Sequence, residues 1–183
     1  MVKRDTEWIT RLLYPRLTLL VTCADKAGNP NIISIALATP VSLDPPIIAI
    51  CIKPARYSYE LLKETGEFVV NIPSTSLAKH ITFCGTVSGE NADKFRETGL
   101  TAAPAKKVRT PIIKECIGHL ECQVIQEIPV GDHSMFLGRV VAAYADEKIF
   151  DEEWLLDKAR LVFLVGGRKT QSYTTPIGTF EAP

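Results

Sequence analysis

From residue 17 onward the side chains alternate. Leu17, Leu19, Val21 and Cys23 fall on one face at period two, the spacing of a strand whose successive side chains point to opposite sides. Residues 118–130 and 135–144 repeat the habit around the turn Gly131-Asp132-His133. Residues 31–41 and 46–52 add two apolar runs, separated by Leu43-Asp44-Pro45-Pro46. Prolines cannot donate ladder hydrogen bonds, so this break is a loop or a strand edge. With Asp25-Lys26-Ala27-Gly28-Asn29 as a tight turn, the three N-terminal strands are read as a meander. Residues 68–72 and 160–165 complete a set of six or seven strands.

Helices are short in this reading. Residues 7–13 form one that stops at Pro15. The stretch from Ser58 to Gly66 forms a second, capped by Ser58 and ended by Gly66. Residues 74–83 and 91–98 form two more, the last with Asn91 as cap, Asp93 in its first turn and Gly99 beyond its end. Largely antiparallel strands interrupted by short helices point to a closed or nearly closed barrel, because closure removes exposed sheet edges. The 183 residues suit one domain, residues 1–183, with one site.

Charge and cysteine usage narrow the function classes. Lysine plus arginine and aspartate plus glutamate each total 21, so no global basic field draws in nucleic acid or an anionic membrane. The longest apolar stretch, residues 47–52, is far too short to span a bilayer, and the N-terminus lacks a signal-type apolar region. A cytoplasmic protein is expected. Cys23, Cys51, Cys84, Cys116 and Cys122 are scattered without a C-x-x-C pair and read as free, mostly buried thiols.

Four segments carry candidate chemistry. Lys53-Pro54-Ala55-Arg56-Tyr57-Ser58 joins a strand to a helix and gathers two cations, a hydroxyl and helix N-terminal amides, donors that suit a phosphate; they equally suit a solvated loop with an ordinary cap. Residues 31–39 mix hydroxyls and small residues with β-branched ones. Small residues let a planar ring approach the backbone, although Ser34 and Thr39 could simply face solvent. Residues 84–95 place Gly85, Gly89 and two hydroxyls before a helix, bringing amides close to a ligand or forming only a turn. His133, at a hairpin turn, can contact a nucleotide, though most turn histidines do not.

Taken in order, these segments resemble the flavin reductase-like, FMN-binding split-barrel family. The resemblance covers roughly residues 14 to 173 and is carried by RLTLLVTC after Pro15, NIISIALATPVSLDPPIIAICIKPARYS, GEFVVNIP, SGENADKF followed by GL, LEC, GDHSMFLGRV and GGRKTQSY. It implies a mainly β fold, a six-stranded antiparallel Greek-key split barrel with flanking short helices, assembled as a homodimer with FMN in a groove near the subunit interface. By position, Ser34, Ile35, Ala36 and Thr39 belong to the flavin strand. Cys51, Ile52 and Lys53 present backbone to the ring, Arg56 and Ser58 hold the phosphate, and Cys84, Gly85 and Ser88 close the pocket.

His133 matches the position that lies near the nicotinamide of NADH or NADPH in reductase members. Glu90 stands where many reductases carry arginine, and no tryptophan follows Ser34. These departures bear on nucleotide preference and flavin selectivity. The implied activity is hydride transfer from NAD(P)H to flavin, with electrons passing to free flavin, a ferric chelate or a partner protein. The flavin does the hydride chemistry, so no catalytic side chain is expected. One rival is an electron carrier of flavoredoxin type without NAD(P)H activity. A second is a thiol or metal enzyme using His80 and Cys84 at i, i+4, two ligands where three or four are needed; no metal is expected.

Overall fold

The computed structural model describes residues 3–166 and 171–176. Its strands are β1 (Arg16–Leu17), β2 (Leu19–Ala24), β3 (Pro30–Ile35), β4 (Ala38–Leu43), β5 (Pro46–Ile52), β6 (Glu67–Ile72), β7 (Ala102–Ala103), β8 (Ile112–Ile113), β9 (Gly118–Val130), β10 (His133–Ala145), β11 (Phe150–Asp151), β12 (Glu153–Trp154), β13 (Phe163–Gly166) and β14 (Ser172–Thr174). Helices α1 (Tyr57–Thr65), α2 (Ala78–Thr86), α3 (Lys94–Thr98) and α4 (Leu156–Ala159) lie between them.

Seven strands form one antiparallel sheet in the order β3-β2-β6-β9-β10-β5-β4. Its two outermost strands, β3 and β4, follow each other in the chain with only Ala36-Leu37 between them. The Cys51 amide donates to the Leu37 carbonyl at 2.9 Å, fastening the bend to β5. β3 and β4 are therefore two halves of the run 31–41 that the sequence presents as a single strand. Counted once, that run makes six strands with the ends of the sheet joined, the split barrel that was expected.

The meander holds across the bend: β2 pairs with the first half of the run 31–41 and β5 with the second, both antiparallel. Read along the open sheet, the two hairpins stand at opposite ends, and β6, β9 and β10 connect them on the other side. Residues 7–13 form a five-residue 3-10 helix, Ile9–Leu13, with no buried residue. Ser58 is not a cap: Arg56 holds the cap position of α1, and Ser58 is buried one residue into the helix. Gly66 ends α1 in the left-handed region, φ 67°, as its position required. Asp93, not Asn91, caps α3 by accepting from the Arg96 amide at 3.1 Å. His133 belongs to β10, so the turn before it is Gly131-Asp132 alone, with φ 58° at Gly131. The C-terminal strand starts at Phe163, because Arg160 ends α4 in the left-handed region. Residues 167–170 of the GGRKTQSY motif lie outside the described residues.

The barrel interior packs Leu19, Val21, Ile33, Ile50, Phe68 and Phe136 against Leu61 and Leu62 of α1. Outside β2 and β3, Leu20 and Ile32 meet Ile81, Phe95, Leu100 and Ile113. β2 is thus covered on both faces, beyond what simple alternation implies. All five cysteines are free, and all but Cys51 are buried.

Two buried polar groups tie the segment after α3 to the barrel. Asn71 Nδ2 donates to Leu20 O at 3.1 Å, and Asn71 Oδ1 accepts from the Ile113 amide at 2.8 Å. His119 Nδ1 lies 2.9 Å from the same Oδ1. Glu121, fully buried, accepts from the amides of Lys106, Lys107 and Val108 and from the Tyr144 hydroxyl. Burial pulls its carboxyl upward, but these donors outweigh it and leave it below the usual range.

Burial pushes His119 down from 6.5 to about 4, so the fold holds it neutral. Between those two values the unfolded chain binds the extra proton, and stability falls with falling pH. Urea unfolding between pH 7 and 4.5 should show a loss of about 2 kcal/mol that His119→Gln removes. An identical pH slope in the variant would refute this account.

Candidate functional site

The bend at Ala36-Leu37, the β5–α1 junction and the end of α2 converge on one side of the barrel. Two cavities meet there, sharing Ile33, Ser34 and Arg56. The seam lobe, about 150 Å³, lies along Ser34, Ile35, Ala36 and Leu37, with Cys51, Ile52 and Lys53 and with His133 at its rim. The helix lobe, about 110 Å³, is lined by Asn31, Ser58, Cys84, Gly85, Ser88 and Lys94 together with the shared residues. Twelve of the thirteen candidate residues therefore gather in one cleft. Thr39 does not join them. It lies past the bend on β4, exposed, in an adjoining apolar cavity of about 440 Å³ that shares Ala36, Leu37 and Cys51 with the seam lobe and includes Leu13, Leu17, Val41 and Met135.

The helix lobe gathers donors that suit an anion. No side chain caps the nine-residue α1, so the orphan amides of its first turn and the positive end of its dipole are left for a ligand. Arg56 is exposed at that terminus. Ser58 accepts from Asn31 Nδ2 at 2.8 Å, which fixes its hydroxyl beneath the lobe. Lys94 is 4 % exposed, and its ammonium donates to Ile32 O at 2.6 Å and Cys84 O at 2.9 Å. An ammonium has three donors, so one remains for the lobe. Burial lowers the Lys94 pKa.

Glycines bring the walls close. A Cβ on Gly85 would stand 3.3 Å from Ser34 Cβ, and one on Gly89 would fall 2.0 Å from Asn31 Oδ1. Asn31, Tyr57, Gly89 and Lys94 complete this lobe from within the three segments that the sequence singles out, though residue type alone does not mark Asn31, Tyr57 or Lys94 as lining it. Lys94 left one signal: a lysine on the apolar side of a short amphipathic helix, next to Phe95.

At the seam lobe Lys53 and His133 share one carboxylate. Lys53 Nζ lies 2.7 Å from Asp132, and His133 Nδ1 lies 2.6 Å from the same carboxylate. The hydrogen bond from Lys53, then that from His133, holds the Asp132 carboxyl down at about 2. Burial raises the Cys51 thiol and pushes Cys84 up to about 11, so neither is a thiolate nucleophile near neutral pH. Among the described residues no three His, Cys, Asp or Glu side chains gather in a metal-binding group. Such a cleft can hold a flat ring against backbone at one end and a phosphate at the other; it lacks the base–nucleophile pair of a hydrolase.

Comparison with known proteins agrees with this geometry. The flavin reductase like domain model matches residues 11–168. A protein of Archaeoglobus fulgidus is 39% identical over 129 residues, 70% of this chain and 72% of that one. The flavoredoxin structure of Desulfovibrio vulgaris (Miyazaki F) superposes with a TM-score of 0.86 at 30% identity, covering 99% of this chain and 97% of that chain. The flavoredoxin structure from Methanosarcina acetivorans gives 0.84 at 26% identity, covering 100% and 94%.

Gly89→Ala should push the Asn31 amide off Ser58. Losing that bond, at about 1 kcal/mol, lowers the melting temperature by roughly 2–4 °C. Calorimetry showing an unchanged midpoint would contradict the close approach.

Proposed function

The chain belongs to the flavin reductase like domain family, and from that premise we propose that it binds one FMN along the two-lobed cleft, accepting a hydride there from NADH or NADPH. Electrons then pass to an acceptor: free flavin, a ferric chelate or a partner protein. The observation that carries this reading is the continuity of an anion-ready helix lobe with a backbone-lined seam lobe. In this reading Arg56, Ser58, Ser88 and the free donor of Lys94 take the phosphate. Ser34, Ile35, Ala36, Cys51, Ile52 and Lys53 face the ring, with Cys84 and Gly85 closing the side.

Bound flavin supplies the hydride chemistry. The chain supplies orientation: it holds the ring at the seam and leaves the His133 rim for the nicotinamide. The apolar cavity beyond Thr39 continues the seam lobe through Ala36, Leu37 and Cys51. Leu13 (74 % exposed) and Val41 (50 %) line this cavity. Large exposed apolar side chains of this kind suit a homodimer interface. Among the described residues no helix is long and apolar enough to cross a membrane, and five free thiols suit the reducing cytoplasm. The likeness to two flavoredoxin structures favours, as a second reading, a carrier that exchanges electrons with a protein.

The protein should bind about one equivalent of FMN per chain and discriminate at least tenfold against riboflavin. Losing the phosphate forfeits charge-assisted bonds worth about 1.5–3 kcal/mol each. Equal affinity in a fluorescence titration would show the phosphate site to be misplaced. Anaerobic NADH or NADPH should bleach the yellow protein; resistance to both would select the carrier.

His133→Ala should keep FMN affinity while lowering kcat/KM for the nucleotide roughly five- to thirtyfold. Normal nucleotide kinetics in that variant would remove His133 from the site.

A further inference from the structure

The two-residue turn between β9 and β10 places a carboxylate against two members of the cleft. Asp132 Oδ2 takes the Lys53 ammonium at 2.7 Å, and Oδ1 lies 2.6 Å from His133 Nδ1. The register makes this contact possible. Ser134 pairs with Ile52 across β10 and β5, so His133 and Lys53 come side by side one step further on. Lys53 and His133 line the seam lobe, whereas Asp132, on the exposed turn, does not.

An ionised carboxylate only accepts hydrogen bonds, so the proton of this contact sits on His133 Nδ1. In a neutral imidazole the other nitrogen, Nε2, then carries the lone pair. Lys53 occupies the second carboxylate oxygen, which keeps the carboxylate from rotating away. The same contact balances the lysine's charge, leaving Arg56 and Lys94 as the cations that serve an anion.

We infer that Asp132 is a positioning residue: braced by Lys53, it locks His133 in the Nδ1–H tautomer, so that Nε2 accepts a hydrogen bond from the carboxamide N–H of a nicotinamide. This rests on the reading of the cleft given above. The chemistry selects a donor. A carboxamide offers two N–H groups to that lone pair, whereas a methyl ketone in its place offers none.

Two measurements test the inference separately. In the flavin-free full chain, long-range 1H–15N spectra should show His133 as the Nδ1–H tautomer, and Asp132→Ala should return it to the Nε2–H form that predominates in free histidine. An unchanged tautomer overturns the role of Asp132, whatever the cleft binds. With FMN-loaded protein, oxidised NAD should bind about five- to tenfold more tightly than its 3-acetylpyridine analogue. That preference should vanish in His133→Ala and in Asp132→Ala. Equal binding of the two nucleotides by the parent protein overturns the acceptor role of Nε2. No binding of either nucleotide overturns the nicotinamide reading itself, and the spectra still decide whether Asp132 sets the tautomer.

Discussion

The bend at Ala36-Leu37 is the constraint on which this structure turns. One extended stretch leaves the β2–β3 hairpin, changes direction over two residues and enters the β4–β5 hairpin. A seven-strand sheet with free edges would present two rows of unpaired amides and carbonyls. The covalent bend closes the strand order on itself and leaves a seam where the ladder is interrupted. The Cys51–Leu37 bond holds the seam at one point. The cleft occupies the rest, which is why backbone and small side chains line it.

Buried polar groups give this frame its single arrangement. Lys94 reaches from α3 to carbonyls on β3 and α2, so one ammonium ties three segments around the helix lobe. Asn71 and Glu121 do the same for the segment from residue 106 to residue 113. Each of these groups is costly if left unpaired in a low-dielectric interior, so the loops they hold have little freedom to adopt alternatives. The Lys53–Asp132–His133 chain is a more exposed version of the device, set at the rim where a second ligand must enter and leave.

Much of this was legible in the sequence, and the failures have physical reasons. Period-two alternation located residues 118–130 to the residue, because that strand is long and its pattern local. The strand order was not legible: pairing of β2 with β6, or β5 with β10, depends on partners 50 to 90 positions away. Asn91 and Asp93 are both good caps, and only the path of the chain chose Asp93. Ser58 has the chemistry of a cap but is drawn inward by Asn31, a contact across 27 residues. Thr39 shares a continuous run with Ser34, and the bend that separates them leaves no mark in composition. Lys94 and Asp132 act through tertiary contacts, which periodicity does not reveal.

The circular strand order also orders events in time. During synthesis the β2–β3 and β4–β5 hairpins emerge first, yet the strands that bridge them are β6, β9 and β10, ending at Ala145. Non-local pairing of this kind forms slowly, because loop closure must precede the contacts that reward it. Until β10 has left the ribosome, β5 lacks its inner neighbour and the apolar face of Ile48 and Ile50 has no barrel to close against. The two walls of the seam lobe are on the chain by residue 56, but they acquire their spacing about 90 residues later. Ligand capture therefore belongs to the finished chain, and a nascent polypeptide stalled before β10 has every wall residue of that lobe except His133 and no cleft.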